Sequence, residues 1–423
     1  MNFSNIKNIL VVKLRHIGDV LLSIPVFRAL RETFPEAHIA ALVNSGTEEV
    51  LEANPLINEI IVLDRRIKKM NLPQKYMREV SFLKMIRSKS FDMTVDLTGG
   101  DRAAIISFLS GAPYRLANDF KGGFPGKKYL YTHLAARNDN QHTVFQNLDT
   151  VRQSGINTDN LSVDISISED AKQLAKNIIE SRNKDKGAAM VHVHPTSRWL
   201  FKCWKDELMA EVISWLLKQG AKVIVTSAPE KRELEKAKRI LSLVSYQPSA
   251  NQGDCPGFTG EAVESGLSPQ LIDLCGKTSI KQLAAISEAS DLFLGVDSAP
   301  MHIAAAVGTP VVALFGPSGA FHWGPWGNES SSGDCPRFTD TTPCFPLNKG
   351  GIKGGCRIIQ WEGETPYSKR NGIQTFGIHT VIQRDWDCIP CGKDGCKGTK
   401  ISRCLEEIKT EEVISILKNK LNI

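Results

Sequence analysis

Short apolar runs alternate along this chain with amphipathic stretches, a pattern that predicts strands joined by helices. Asn8–Leu14, His38–Val43, Glu59–Leu63 and Met93–Leu97 read as buried strands, and Val20–Thr33 has helical spacing. A second alternation follows. Its strands are Ala189–His194, Ala221–Thr226, Leu271–Cys275, Leu292–Val296 and Val311–Phe315, and its helices Lys205–Gln219, Lys231–Val244 and Ile280–Ala289. Strands separated by helices imply an α/β fold with parallel sheets. Ser, Asn and Lys accumulate over Glu180–Gly187, which places a domain boundary there. Near the end, Val413, Ile414, Ile416, Leu417 and Leu421 recur at helical spacing. Two Gly-, Pro- and Ser-rich stretches, near 245–269 and 328–376, break the pattern and read as insertions. They share a short repeat: Gly253–Thr259 recurs at Gly333–Thr339 with Arg337 in place of a glycine.

The stretch Leu292–Ser318 organises the second half. An apolar strand ends in the polar turn Asp297-Ser298-Ala299-Pro300, and Pro300 suits the first turn of a helix because no amide donor is needed there. Met301–Val307 is small and apolar enough to press on a sheet. Gly308 and Pro310 stop the helix before the next strand. In a parallel sheet such turns lie at the carboxyl ends of strands, where ligands bind. The free helix amides offer an anion site.

At 423 residues the chain exceeds a single core, so two domains are expected. An apolar fraction of 42% and a charged fraction of 23% are those of a globular protein. No apolar run approaches the roughly 20 residues of a membrane span, and Lys13 and Arg15 interrupt the one candidate signal core. A cytoplasmic location is expected. The net charge of +6 is mild, but it is clustered. Arg65, Arg66, Lys68, Lys69, Lys75, Arg78, Lys84, Arg87 and Lys89 follow Asp64 with only Glu79 against them. That segment fits either a solvated helix face or a surface for a phosphorylated or membrane-bound partner. No nucleic-acid motif accompanies it, so no nucleic-acid partner is expected. The ten cysteines point to thiols or a metal rather than a disulfide framework. Cys388, Cys391, Cys396 and Cys404 begin with a C-x-x-C pair that can open a four-thiolate zinc site, although reduced thiols fit the spacing as well. No metal is assigned, and no catalytic role.

Four strand-end loops carry polar chemistry. In Arg15-His16-Ile17-Gly18-Asp19, Gly18 permits a tight turn. Asp19 falls at a helix start, where it can serve simply as a cap. His194-Pro195-Thr196-Ser197-Arg198, followed by Lys202, supplies hydroxyls and a point charge for a phosphate. Ser227-Ala228-Pro229-Glu230 offers a carboxylate for ribose hydroxyls. The fourth loop is Asp297–His302.

These residues carry a family resemblance. The run from Lys13 to Leu22, KLRHIGDVLL, with Pro25, Ala29 and Leu30 beyond it, resembles the opening of glycosyltransferase family nine, the lipopolysaccharide heptosyltransferases. GVDSAPMHIAAAVGTPVVALFGPS at Gly295–Ser318 and HPTSRWLFKCW at His194–Trp204 are similar to that family's nucleotide-sugar and phosphate segments. HTVIQRDWDCIPCGKDGC at His379–Cys396 looks most like its heptosyltransferase III branch.

The resemblance implies a GT-B fold, two Rossmann-like domains facing a central cleft. Residues 1–182 would bind acceptor, 183–408 the nucleotide sugar, and 409–423 would form a C-terminal helix crossing back to the first domain. It implies inverting transfer from ADP-heptose to the lipid A-core acceptor at the inner leaflet, with peripheral membrane contact and no cofactor. Asp19 matches the family's general base. Thr196, Ser197 and Lys202 match its diphosphate positions, Asp297 the heptose-hydroxyl position, and Ser298, Ala299 and His302 positions near the phosphates. Glu230 is the ribose candidate, with Glu233 as the other. Arg15, His16, Gly18, Arg65, Arg66, Lys68 and Lys69 form the acceptor set. Two other readings stand beside transfer: a GT-B sugar-nucleotide epimerase, and a non-catalytic nucleotide-sugar binding protein.

Overall fold

The computed structural model describes residues 3, 5–66, 71–180, 188–245, 270–327 and 366–423. The boundary expected at 182–183 lies outside these residues. So do Lys68, Lys69, Cys255, Cys335, Cys344 and Cys356, and the insertions over 246–269 and 328–365. The described residues up to Val163, with 366–368, make one compact unit, and those from Asp164 to 327 with Lys369–Ile423 make a second.

The first unit runs β1 (Asn8–Lys13), α1 (Ile17–Leu21), α2 (Ile24–Thr33), β2 (His38–Asn44), β3 (Glu59–Leu63), α3 (Leu72–Ser88), β4 (Met93–Asp96), α4 (Asp101–Leu109), β5 (Tyr114–Asn118), β6 (His133–Ala135) and α5 (Thr143–Arg152). Its six strands are all parallel in the order β3-β2-β1-β4-β5-β6. β1 is buried from Ile9 to Lys13, as a strand covered on both faces must be, and that is why its apolar run is continuous rather than alternating. The helix expected over Val20–Thr33 is instead two. Ser23 turns its hydroxyl back to the Val20 carbonyl at 2.6 Å, and Pro25 sits in the first turn of α2. Pro25 has no amide hydrogen to continue α1, so the chain breaks there.

The second unit runs α6 (Glu169–Glu180), β7 (Met190–His194), α7 (Asp206–Lys218), β8 (Lys222–Val225), α8 (Lys231–Leu243), β9 (Leu271–Asp273), α9 (Ile280–Glu288), β10 (Leu292–Val296), α10 (Ala299–Ala306), β11 (Val311–Leu314), α11 (Ala320–Trp323), β12 (Gln374–Phe376), β13 (His379–Ile382), α12 (Arg403–Glu406) and α13 (Thr410–Leu421). The sheet order is β12-β13-β11-β10-β7-β8-β9, parallel except for the edge strand β12. α6 belongs to this unit because Ala171 and Ala175 pack with Met190, Ile224 and Ile286. The apolar face of α13, expected to cross back to the first domain, buries Val413 and Leu417 in the second unit's own core with Ile213, Leu216 and Leu217 of α7.

Both sheets share one topological feature. The first strand of each unit lies in the middle and the chain winds outward in both directions, so the order reverses beside it. In the first sheet the reversal lies between β1 and β4, in the second between β7 and β10. Neighbouring connections there leave the sheet on opposite faces and open a crevice at the strands' carboxyl ends.

Candidate functional site

At the first reversal the loops after β1 and β4 are tied together. The Leu14 amide donates to Thr98 Oγ1 at 2.8 Å, and Arg15 Nη2 to the Thr98 carbonyl at 2.9 Å. Beneath them Lys13 is buried. Its ammonium donates to the Leu97 carbonyl at 3.0 Å and to Asn147 Oδ1 at 2.8 Å. Burial pushes the Lys13 amine down to about 8, and the charges of Asp19 and Asp96 pull against that. Asp96 is fully enclosed. It accepts from Tyr131 Oη at 2.6 Å and from the Thr98 and Gly99 amides, while burial raises its carboxyl above the usual range. Asp19 stands in the first turn of α1, half-buried, and Gly18 beside it is buried. Arg15 and His16 are exposed. Arg65, just past β3, donates Nη2 to the Arg15 carbonyl at 3.2 Å, and Asn44 Nδ2 donates to the same oxygen at 3.3 Å. Arg66 is turned to its own neighbour Asp64.

The second reversal carries the closest charge pair of the site. Lys202 ends a short 3₁₀ turn after β7, Asp297 follows β10, and Lys202 Nζ lies 2.7 Å from Asp297 Oδ2. Asp297 is buried and Lys202 partly open. Ser298 precedes α10 in extended conformation, Pro300 lies in the helix's first turn, and Gly308 at φ +86° closes it, as the sequence pattern required. Ser298 and Ala299 are half-buried, and His302 is buried one turn in. Gly295 in β10 runs against β7 so closely that an added Cβ would stand 3.0 Å from the His194 carbonyl and 2.6 Å from the Phe293 ring.

Thr196 is fully buried and donates Oγ1 to Glu233 Oε2 at 2.9 Å. Ser197 is buried too, with its Oγ accepting from the Trp199 amide at 3.3 Å. The two ribose candidates separate clearly. Glu230 is exposed at the start of α8, whereas Glu233 is buried one turn later. Burial, and then the Glu230 charge, raise the Glu233 carboxyl, while the Thr196 hydroxyl and Arg198 act the other way.

Behind Thr196 runs a polar string that the sequence analysis did not single out. Ser287 Oγ lies 2.8 Å from His192 Nδ1, and Thr226 Oγ1 lies 2.7 Å from His192 Nε2 and 2.8 Å from His194 Nδ1. Burial pushes both imidazoles down to about 3, so both are neutral. The Thr226 hydroxyl has one proton and serves one ring, so the other ring donates to its oxygen. A signal for this was present: His192 and His194 are two apart in an apolar strand and therefore share a face. Thr226→Val removes the bridging oxygen at nearly constant volume and strands buried ring nitrogens. It is expected to cost about 1–3 kcal/mol of stability, read as a lower urea midpoint at unchanged slope.

Of the thiols, Cys388 and Cys391 are exposed, Cys396 is half-buried and Cys404 buried. Burial, and then the Cys396 charge, push the Cys404 thiol up to about 11. Among the described residues no three His, Cys, Asp or Glu side chains are gathered as a metal cage. No helix among them is long and apolar enough to cross a membrane.

The model of glycosyltransferase family 9 (heptosyltransferase) matches residues 80–252 and 258–335. A lipopolysaccharide heptosyltransferase 3 of Escherichia coli is 30% identical over 318 residues, which are 74% of this chain and 85% of that protein. A lipopolysaccharide core heptosyltransferase of Haemophilus influenzae is 24% identical over 76% of this chain and 82% of its own length. Among solved structures, the E. coli ADP-heptose lipopolysaccharide heptosyltransferase II superposes with a TM-score of 0.66 at 17% identity, covering 98% of both chains. A family 9 glycosyltransferase from Veillonella parvula superposes at 0.62 with 24% identity, covering 76% of this chain and 83% of that one. These likenesses, with two parallel-sheet α/β units, make the fold GT-B.

Proposed function

This chain belongs to glycosyltransferase family 9 and is a glycosyltransferase, and from that premise we propose that it transfers heptose from ADP-heptose to the inner core of lipopolysaccharide, with inversion at the anomeric carbon. Heptose transfer in building the lipopolysaccharide core is the activity its relatives support. The observation that carries the donor side is the Lys202–Asp297 pair at the β7/β10 reversal, beside the amide end of α10.

A sugar hydroxyl is a poor nucleophile at neutral pH and must shed its proton as it attacks. Asp19 is the proposed base. As the bond from the anomeric carbon to the diphosphate breaks, charge grows on the departing ADP. Lys202, the first amides of α10 at Ser298 and Ala299, and His302 are the groups proposed to receive it, with Thr196 and Ser197 shaping the loop beneath. Asp297 would orient heptose hydroxyls, and Glu230, the exposed member of its pair, would accept from ribose. Arg15, His16, Gly18, Arg65 and Arg66 are proposed for the anionic acceptor.

The test is one assay read by mass. ADP-heptose with a truncated core acceptor is expected to add one heptose to the acceptor and release ADP, with no reaction when the acceptor is left out. Release of ADP with an altered sugar from donor alone would replace transfer by the epimerase reading.

A further inference from the structure

Helix α3 packs Phe82, Leu83, Met85 and Ile86 on the first unit's core, but its first turns leave large apolar groups in water. Leu72, Tyr76 and Met77 are 80%, 72% and 67% exposed, while Ile86 near its end is its buried residue. The neighbouring elements add exposed apolar groups of their own. α3 packs beside α4, whose Ile105, Phe108 and Leu109 also stand out, and α4 packs beside the turn Lys127–Leu130, where Tyr129 is 76% exposed. The same stretches of chain carry cations. Arg78, Lys84, Arg87, Lys121 and Lys128 are exposed, and Lys75 is half-buried. The Lys128 ammonium sits 5.3 Å from the centre of the Tyr129 ring. The acid of α3, Glu79, is already spent on Arg102 at 2.5 Å.

Water alone does not favour this combination. Large apolar side chains projecting singly between lysines and arginines are what an interfacial helix presents to a bilayer. The apolar groups enter the boundary between headgroups and acyl chains, and the cations remain at the phosphates. A protein partner of ordinary composition would meet a core depleted of charge, whereas along α3 the exposed Tyr76 and Met77 stand directly between Lys75 and Arg78.

We propose that α3, α4 and the Lys127–Leu130 turn form a docking face for an anionic lipid leaflet. The proposal deepens the acceptor side of the function above, since a lipid-anchored acceptor lies in such a leaflet. Its test needs no acceptor, so the two readings fail separately.

The full chain is mixed with vesicles of phosphatidylcholine alone or of phosphatidylcholine with phosphatidylglycerol, and sedimented. Binding is expected to the mixed vesicles and to fall steeply with added salt, as surface attraction of this kind is screened within a Debye length. Replacing Lys75, Arg78, Lys84 and Arg87 together by glutamine is expected to weaken binding about a hundredfold or more and to flatten the salt dependence. The set Leu72→Ser, Tyr76→Ser and Met77→Ser is expected to weaken binding at unchanged salt dependence. These side chains are outward and unused in the proposed chemistry, so transfer to a water-soluble truncated acceptor stays at the parent rate in both variants. Equal sedimentation with both vesicle types would overturn the proposal, as would binding unmoved by either set. A dimer in solution that the serine set dissolves would assign the face to a second copy of the chain instead.

Discussion

Asp19→Ala is expected to cut turnover about 10²–10⁴-fold while leaving the dissociation constant for ADP-heptose unchanged. The split follows from where the residue sits. Asp19 belongs to the first unit, in the first turn of α1, whereas the groups proposed for the diphosphate belong to the second. Removing the carboxylate therefore takes away the proton acceptor and no donor contact. A purely structural carboxylate would behave differently. An acid in a helix's first turn stabilises by about 0.3–1 kcal/mol through the helix dipole, so its loss would shift stability slightly and leave turnover near the parent value. Asp19→Asn sharpens the distinction, because it keeps size and polarity but cannot take a proton at neutral pH. Turnover by the asparagine variant above about a tenth of the parent rate, with calorimetry showing intact donor binding, would remove Asp19 from the chemistry. Lys13 gives a second reason to measure both variants. Its buried ammonium, already pushed down to about 8, feels the Asp19 charge, so loss of that charge lowers it further.

The fold was largely legible in sequence because both sheets are parallel and enclosed. Strands covered on two faces must be apolar throughout, and runs such as Asn8–Lys13 and Leu292–Val296 stand out against the helical spacing around them. What escaped was short, peripheral or, like β5 with Arg115 and Asn118 among its five residues, polar in part. β6 and β12 have three residues each, too few for periodicity to register. β13, although buried, is a four-residue run directly after a glycine-rich stretch. The division of Val20–Thr33 into two helices was readable from Pro25, yet apolar spacing continues across the break and hides it.

The candidate site shows a different limit. Polar loops at strand ends could be read because each follows an apolar run directly. Which loops meet could not. Lys202 and Asp297 are 95 positions apart, and Thr196 and Glu233 are 37 apart. No local spacing connects them. The connection is made by strand order, which brings β7 beside β10 and β8 beside β7. Glu230 and Glu233 illustrate the same point within one turn of helix. Both precede or open α8 and look alike in sequence, yet the sheet buries the second beneath Thr196 and leaves the first in water. Lys13 was hidden for the opposite reason: a lysine inside an apolar run looks like an interruption, and only Asn147 and the Leu97 carbonyl explain how it is held.

Lys202→Met is expected to lose on two counts. Asp297 is buried, and with Lys202 gone its carboxylate loses the cation 2.7 Å away. Leaving a buried charge unpaired costs about 3 kcal/mol, the lower end of what such disruptions cost, since the lysine side is partly open. Affinity for ADP should fall about 10–100-fold as well, because a charge-assisted contact to phosphate is lost. The two losses can be pulled apart by adding Asp297→Asn to Lys202→Met. The double variant has no buried lone charge, so its urea midpoint should return most of the way to the parent value, while ADP binding remains as weak as in the single variant. The coupling is the informative quantity, since residues in contact do not contribute additively. If ADP affinity recovers together with stability, Lys202 serves only to neutralise Asp297 and the diphosphate is held elsewhere. If neither measurement moves in Lys202→Met, the ion pair at the β7/β10 reversal has no part in donor binding. The helix amides at Ser298 and Ala299, and His302 one turn in, would then be the next groups of that crevice to test.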